Sequence, residues 1–327
     1  MTRQNDLISS DIQLITDVAV RYYVENETQE QIAQALDISR PRVSRLLKRA
    51  TDEGIVDIQV RNHSSVQSTY EKVLKERFKI DRAFIAIDTP DPEKQRANVA
   101  ALAAKYLEDT LEDRMIVAVG MGRNVGAIPD NITQATPRRC TFVSSIGGSH
   151  RAGEVMNPDH ICRRLATRFG GESETLYSPA YVDDTELRTH LLANPTIKQT
   201  LDAARRADLA LIGIGDISED SNLVRMGWFT PQEISHARLS GTIGDMMGYD
   251  FINIYGERSA VELQNHVIGL NINEVARIPN VVAVASESTK GAAILGALRT
   301  GAINTLITTT SNVLTLLQLD DATRNRP

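Results

Sequence analysis

The run TQEQIAQALDISRPRVSRLLKRA, Thr28 to Ala50, leaves the chain little freedom in how it folds locally. Thr28 and Gln31 have the S/T-x-x-E/Q spacing with which a helix start satisfies two free amides. Ile32, Ala33 and Leu36 then fall on one face of a short helix. "DIS" turns the chain, with Asp37 at the tight position, where aspartate tolerates positive φ better than most residues. Ser39 is placed to cap a further helix. Pro41 lies in the first turn of that helix, where a missing N–H costs nothing. There Val43, Leu46 and Leu47 point inward, leaving Arg40, Arg42, Ser44, Arg45, Lys48 and Arg49 outside. Two short helices, a tight turn and a basic outer face make a helix-turn-helix pattern. Upstream, DIQLITDVAVRYYVEN (11–26) predicts a supporting amphipathic helix through Ile12, Ile15, Ala19, Tyr22 and Tyr23, ended at Asn26. Downstream, GIVDIQV (54–60) alternates and predicts a strand, which would make the head a winged helix.

The positive charge is local. Residues 1–62 hold 8 Lys/Arg against 10 Asp/Glu, and the remainder 28 against 32, for a net charge of −6. Such a chain is no generic polyanion binder, because counterion release needs many cationic contacts at once. A solvated basic face on a plain helical bundle would account for the charge. It would not account for the agreement of cap, turn, proline and one-sided charge, which favours double-stranded DNA as a partner.

The 327 residues suit two domains rather than one core. The expected division is a helix-turn-helix domain at 1–60, a linker and possible oligomerisation helix at 61–80, and a larger domain at 81–320. In the linker, STYEKVLKERF predicts a helix that meets either a second subunit or only solvent. From about residue 82, apolar strand-like runs alternate with helices: RAFIAI (82–87) and a helix near 93–111, MIVAVG (115–120) and a helix near 124–134. CTFVSSIGG, ADLALIGIGD (207–216) and NVVAVASES (280–288) continue the series, and AILGALRTGAINTLIT supplies a last helix and strand. This pattern predicts a Rossmann-like α/β domain with a mostly parallel sheet covered on both faces, whose ligands lie beyond the strand C-termini. Several strands end in glycine or small polar residues: VGMGRN, SIGGSH with Gly147 and Gly148, GIGD and SESTKG. Such loops bring backbone amides towards an anion. GMGRNVG is misspaced for a dinucleotide fingerprint and lacks the Lys-Ser/Thr of a P-loop. Lys290 opens the helix KGAAILGAL, an unfavourable place for a cation unless an anion lies between. Asp245, in GTIGDMMGY, either accepts ligand hydroxyls or caps a turn.

TQEQIAQALDISRPRVSRLLKRATDEGIVDIQV resembles the DNA-binding head of the SorC/DeoR-type sugar-binding transcriptional regulators, and GTIGDMMGYDF and STKGAAILGALRTGAINTLIT extend the resemblance over nearly the whole chain. The resemblance places Gln29, Arg40, Arg42, Ser44 and Arg45 nearest DNA. Thr28, Ser39, Lys48 and Arg49 complete that face. It further implies an effector domain similar to sugar-phosphate isomerases and glucosamine-phosphate deaminases. A phosphorylated sugar or polyol would then bind with its phosphate near Gly122, Arg123, Asn124 and Lys290 and its hydroxyls near Asp245. A dimer or tetramer is also implied. Two departures stand out: Arg123-Asn124, where many members have a small hydroxyl residue, and Ala285-Ser286-Glu287, where many have A-G-G. Glu287 beside an anion pocket is electrostatically odd, and points either to compensation by Arg123 or to a less anionic effector.

No apolar run reaches the ~18–20 residues of a membrane span, and MTRQNDLISSDIQ has no apolar core for a signal peptide. Cys140 and Cys162 are the two cysteines. They fit a reducing cytoplasm and exclude a Cys-based zinc site; no cofactor or metal is expected. An enzyme on sugar phosphates is the competing expectation, with His150, Asp159 and His160 as the nearest acid-base candidates.

Overall fold

The computed structural model describes residues 2–56, 64–133, 135–218, 221–248 and 250–324. The chain forms two compact units, Met1–Arg61 and Asn62–Pro327.

The first unit holds α1 (Thr2–Tyr23), α2 (Gln29–Ala35) and α3 (Arg40–Asp52). Ile15, Val18, Ala19, Ile32, Val43, Leu46 and Leu47 form its core. The buried stripe of α1 runs through Ile15, Val18, Ala19 and Tyr22, while Ile12 and Tyr23 are exposed, so the face lies slightly rotated from the sequence expectation. Asn26 and Asp37 both adopt left-handed φ, at 59° and 52°. The capping box closes as spaced: the Gln31 N–H donates to Thr28 Oγ1 (3.3 Å) and the Thr28 N–H to Gln31 Oε1 (2.8 Å). Ser39 stands at the start of α3 but makes no side-chain cap, contrary to expectation. A capping oxygen normally takes the second or third helical amide. Here the second is Pro41, which has none, and the third, Arg42, donates to the Ser39 carbonyl at 2.8 Å. The strand expected at 54–60, with its wing, falls mostly on 57–60, outside the described residues.

The second unit opens with α4 (Ser64–Phe78). Residues 61–63 of the expected linker lie outside the described residues, and from Ser64 the chain is already helical. The apolar side of α4 is used within the chain: Leu74 is fully buried and Tyr70 and Phe78 pack beside it. It then leads into β1 (Arg82–Ala86), α5 (Pro92–Thr110), β2 (Ile116–Val119), α6 (Arg123–Gly126), β3 (Thr141–Ser144), β4 (Glu172–Glu174) and β5 (Leu209–Asp216). After these come β6 (Thr242–Met246), β7 (Asp250–Asn253), β8 (Asn280–Val284) and β9 (Thr305–Thr309). The main sheet is parallel in the order β1-β9-β8-β5-β2-β3-β4. Both faces are covered, as continuous apolar strands require. Val117, Val119 and Leu211 meet Val99, Ala103 and Leu107 of α5. Ala118, Ala210 and Ile212 face the other way, towards Leu201 and Ile294.

One segment differs from the sequence expectation, and two others take forms that no expectation covered. The helix near 124–134 is a single turn, α6, followed by a 3-10 turn at Ile128–Asn131, because Pro129 removes an amide the helix would need. EVMNPDHICRRLATRF is split at Pro158 into Gly153–Met156 and Pro158–Phe169. Within GTIGDMMGYDF, β6 and β7 pair antiparallel, and β6 also pairs with the last residues of β5. A further helix, Thr310–Arg324, follows β9.

Candidate functional site

On the first unit, Arg40, Arg42, Ser44, Arg45, Lys48 and Arg49 all lie exposed on α3, with Thr28 exposed and Gln29 half-buried at the start of α2. They are not equivalent. Arg49 bonds Asp11 Oδ2 (2.9 Å) and Glu53 Oε1 (2.9 Å), tying α3 to α1. Among the described residues Arg40 has only a loose, exposed contact with Glu30 at 3.8 Å. Arg42, Arg45 and Lys48 form no ion pair among the described residues. The Thr28 hydroxyl is consumed by the capping box. The cations left for an external anion therefore lie along one side of α3.

On the second unit, β2 is followed by β3 on one side and β5 by β8 on the other, so strand order reverses between β2 and β5. A crevice opens at the C-terminal ends of strands at such a reversal. There a cavity of about 220 Å³ is lined by Gly122, Arg123, Asn124, Asp245, Glu287 and Lys290, among others. It is smaller than the roughly 300–1,000 Å³ of sites for drug-sized ligands, and so suits a small metabolite. Gly122 enters α6 with φ at 116°, a conformation side chains rarely adopt. Asp245 lies opposite Gly215 in the β5–β6 ladder. A Cβ on Gly215 would sit 2.0 Å from Asp245 Oδ2, so glycine there is what lets the carboxylate occupy the pocket wall.

Asp245 is buried and its Oδ1 accepts from the Gly248 N–H at 2.7 Å, so it caps the hairpin turn and lines the cavity at once. Burial pushes its pKa up to about 7, against the pull of Lys290 and of the Gly248 amide. Lys290 is also buried; its Nζ donates to the Ile214 carbonyl (2.6 Å) and pairs with Glu287 Oε2 (2.9 Å). Glu287 is the hub of the site. Its Oε2 accepts from Asn124 Nδ2 at 2.9 Å, while Arg123 and Arg96 stand 3.6 and 3.8 Å from Oε1. Burial opposes its charge, but Lys290 and the Asn124 amide prevail and hold its pKa at about 2.

A pH dependence follows. An unfolded aspartate titrates near 4, so protonated Asp245 contributes stability that is complete below about pH 4. That contribution is lost as pH rises through about 7. Asp250 on β7, also pushed up to about 7 by burial, acts in the same direction. Glu287 acts oppositely and only below its ordinary range, outside this window. The melting temperature of the wild type should fall from pH 5 to pH 8, and Asp245→Asn should flatten that slope; an identical slope in the variant would remove Asp245 as its source.

The sequence model "Sigma-70, region 4" matches residues 17–53, which span α2 and α3. The family described as "Putative sugar-binding domain" matches residues 63–318, most of the chain. The chain belongs to the SorC/DeoR-type sugar-binding regulators. The crystallised sugar-binding domain of a transcriptional repressor from Vibrio fischeri is 47% identical, with a TM-score of 0.73, over 78% of this chain and 99% of that one. Full-length SorC, the sorbitol operon regulator from Klebsiella pneumoniae, is 26% identical with a TM-score of 0.69, over 94% of this chain and 99% of that one. Transcriptional regulator LsrR from Enterobacter sp. (strain 638) is 28% identical over 96% of this chain and 95% of its own length.

Of the pocket residues expected for a SorC/DeoR-type regulator, Gly122, Arg123, Asn124, Asp245 and Lys290 come together. Gly147 and Gly148 do not. Gly147 packs under Pro179, and Gly148 lines a separate cleft with His150, Asp159 and His160. In that cleft Asp159 pairs with Arg163 at 2.6 Å. The two departures from the SorC/DeoR pattern meet each other, since Asn124 and Arg123 hold Glu287. Arg96 was not singled out in the sequence, although a buried cation on the Val99–Ala103 face of an alanine-rich helix is a readable signal. Asp216, which lines the cavity and accepts from Thr289 Oγ1 at 2.8 Å, was also passed over inside GIGD.

Proposed function

We propose that the chain regulates transcription of a carbohydrate or polyol catabolic operon, with operator DNA held by α3 and a small sugar or polyol effector held in the β2–β5 crevice. What supports this most is one pairing within one chain. A helix-turn-helix whose Arg42, Arg45 and Lys48 are free of ion pairs among the described residues accompanies a polar cavity at the switch point of the sheet. A relative named for a sorbitol operon agrees with it. DNA recognition is assigned to the first unit and effector recognition to the second. Among the described residues no helix is long and apolar enough to cross a membrane, in keeping with a cytoplasmic regulator. The proposed working form is a dimer or tetramer, because one head offers too few contacts for tight binding and paired heads meet half-sites about one helical turn, ~34 Å, apart. Effector that favours one oligomeric arrangement by about 1–3 kcal/mol would shift DNA affinity by linkage.

Fluorescence anisotropy with labelled duplexes from the chain's own locus tests this, with and without sugars and polyols. Arg45→Ala should weaken binding by about 1–3 kcal/mol, roughly 5- to 150-fold. Arg49→Ala should do markedly less, because its guanidinium is already held by Asp11 and Glu53. No preference for any duplex, or equal losses at both positions, would count against the assignment.

One observation favours a second reading, an enzyme on sugar phosphates: a carboxyl with pKa about 7 in a cavity is poised for general acid-base work. Isomerase or deaminase turnover that disappears in Asp245→Asn would establish it.

A further inference from the structure

Resting on the pocket assigned above, we infer that Glu287 occupies, from within the chain, the place of a ligand's anionic group, and that the pocket takes an uncharged polyhydroxylated ligand, a free sugar or polyol, in preference to its phosphate ester.

The cations that a phosphate would need are already engaged. Lys290 Nζ lies 2.9 Å from Glu287 Oε2 and also donates to the Ile214 carbonyl at 2.6 Å. Arg123 and Arg96 flank Oε1 at 3.6 and 3.8 Å, and Asn124 Nδ2 donates to Oε2 at 2.9 Å. An incoming phosphate would have to displace this carboxylate or sit against a like charge in a partly buried site. The glycine amides expected to cradle an anion are committed too. Gly120 donates to the Leu211 carbonyl at 2.9 Å and Gly122 to the Met156 carbonyl at 3.1 Å.

The cavity leaves both donors and acceptors open, and Arg123 Nε is buried without a partner among the described residues. Asn124 Oδ1 is buried without a partner among the described residues, as is Ser221 Oγ, which also lines the cavity. Asp216 adds a carboxylate to the same wall, and Asp245 a carboxyl that burial keeps able to donate as well as accept. A phosphate dianion brings lone pairs and no protons to such groups, whereas each ligand hydroxyl both donates and accepts. The mixed donors and acceptors of the wall and the carboxylate set among its cations thus favour the same chemical class.

Calorimetric titration of the full-length protein tests this with inorganic phosphate and with erythritol, sorbitol and fructose, each beside its monophosphate ester. The wild type should bind at least one free polyol or sugar at least tenfold more tightly than the corresponding ester and show no saturable heat with inorganic phosphate. Glu287→Gln, which keeps the shape and removes the charge, should gain at least tenfold in affinity for inorganic phosphate. Tighter binding of an ester than of its parent by the wild type overturns the inference and needs no variant to be folded. A folded Glu287→Gln protein that gains nothing with phosphate overturns it as well. If a free polyol binds as inferred but leaves duplex affinity unchanged, the regulatory reading fails and this one stands.

Discussion

Asp320→Ala is expected to lower the stability of the second unit by about 3–5 kcal/mol, the range for removing one partner of a buried ion pair. The carboxylate is 1% exposed and holds three guanidinium groups: Arg299 at 2.8 Å, Arg324 at 2.9 Å and Arg77 at 3.2 Å. Removing it leaves Arg299 and Arg324 with no carboxylate among the described residues and Arg77 with the exposed Asp321. The loss should fall toward the lower end, because Arg77 and Arg324 keep contact with water, and correspond to a drop in melting temperature of roughly 6–12 °C. Asp321 is the internal control. It is 63% exposed and, among the described residues, pairs only with Arg77, so Asp321→Ala should cost less than about 1 kcal/mol. Urea titration of both variants is sufficient; equal midpoints would show that the three-arginine cluster contributes no more than a surface pair.

The other large effect is expected in the first unit. Ile32 is fully buried at the junction of α1, α2 and α3. Ile32→Ala removes packing worth about 2–5 kcal/mol. A core of this size, in a unit of about sixty residues, rarely supplies more than about 3–5 kcal/mol in total. The variant should therefore lose duplex binding and amide protection across α2 and α3 while the second unit melts unchanged. Ile32→Val, at about 0.5–1.5 kcal/mol, should keep both. Full amide protection in the alanine variant would mean that the small core tolerates far more loss than its size suggests.

The first unit was legible because its determinants are local. A cap and its partner are three residues apart, Asp37 and Pro41 act on their own turn, and the inward positions of α3 follow one helical period. The parallel sheet was legible from continuous apolar runs such as Leu209–Ile212, and the switch-point pocket followed from it. The hairpin β6–β7 was not. TIGDM has no β-branched alternation, and it pairs only with the tip of β5, so its strand character comes from tertiary context. The hub at Glu287 was hidden for a different reason. Compensation by Arg123 was among the expectations and Lys290 lies three residues on, but Arg96 and Asn124 come from α5 and α6, far from Glu287 in sequence, so the full set of partners was out of reach. The glycine-ended strands misled in part, since their amides stabilise the framework around Leu211, Met156, Ile268 and Ser178.

The helix Gly291–Arg299 begins beside Lys290 in the cavity and ends at Arg299, which grips Asp320 and, through it, Arg77 of α4. Nine helical residues make a stiff rod about 13 Å long. Its two ends cannot be displaced independently, so a ligand held in the cavity would push on one end of a rod whose other end meets the helix that opens the second unit. If the proposed effector acts in this way, hydrogen exchange along residues 68–78 should slow on saturation; slowing confined to the cavity rim would mean that the rod stays still.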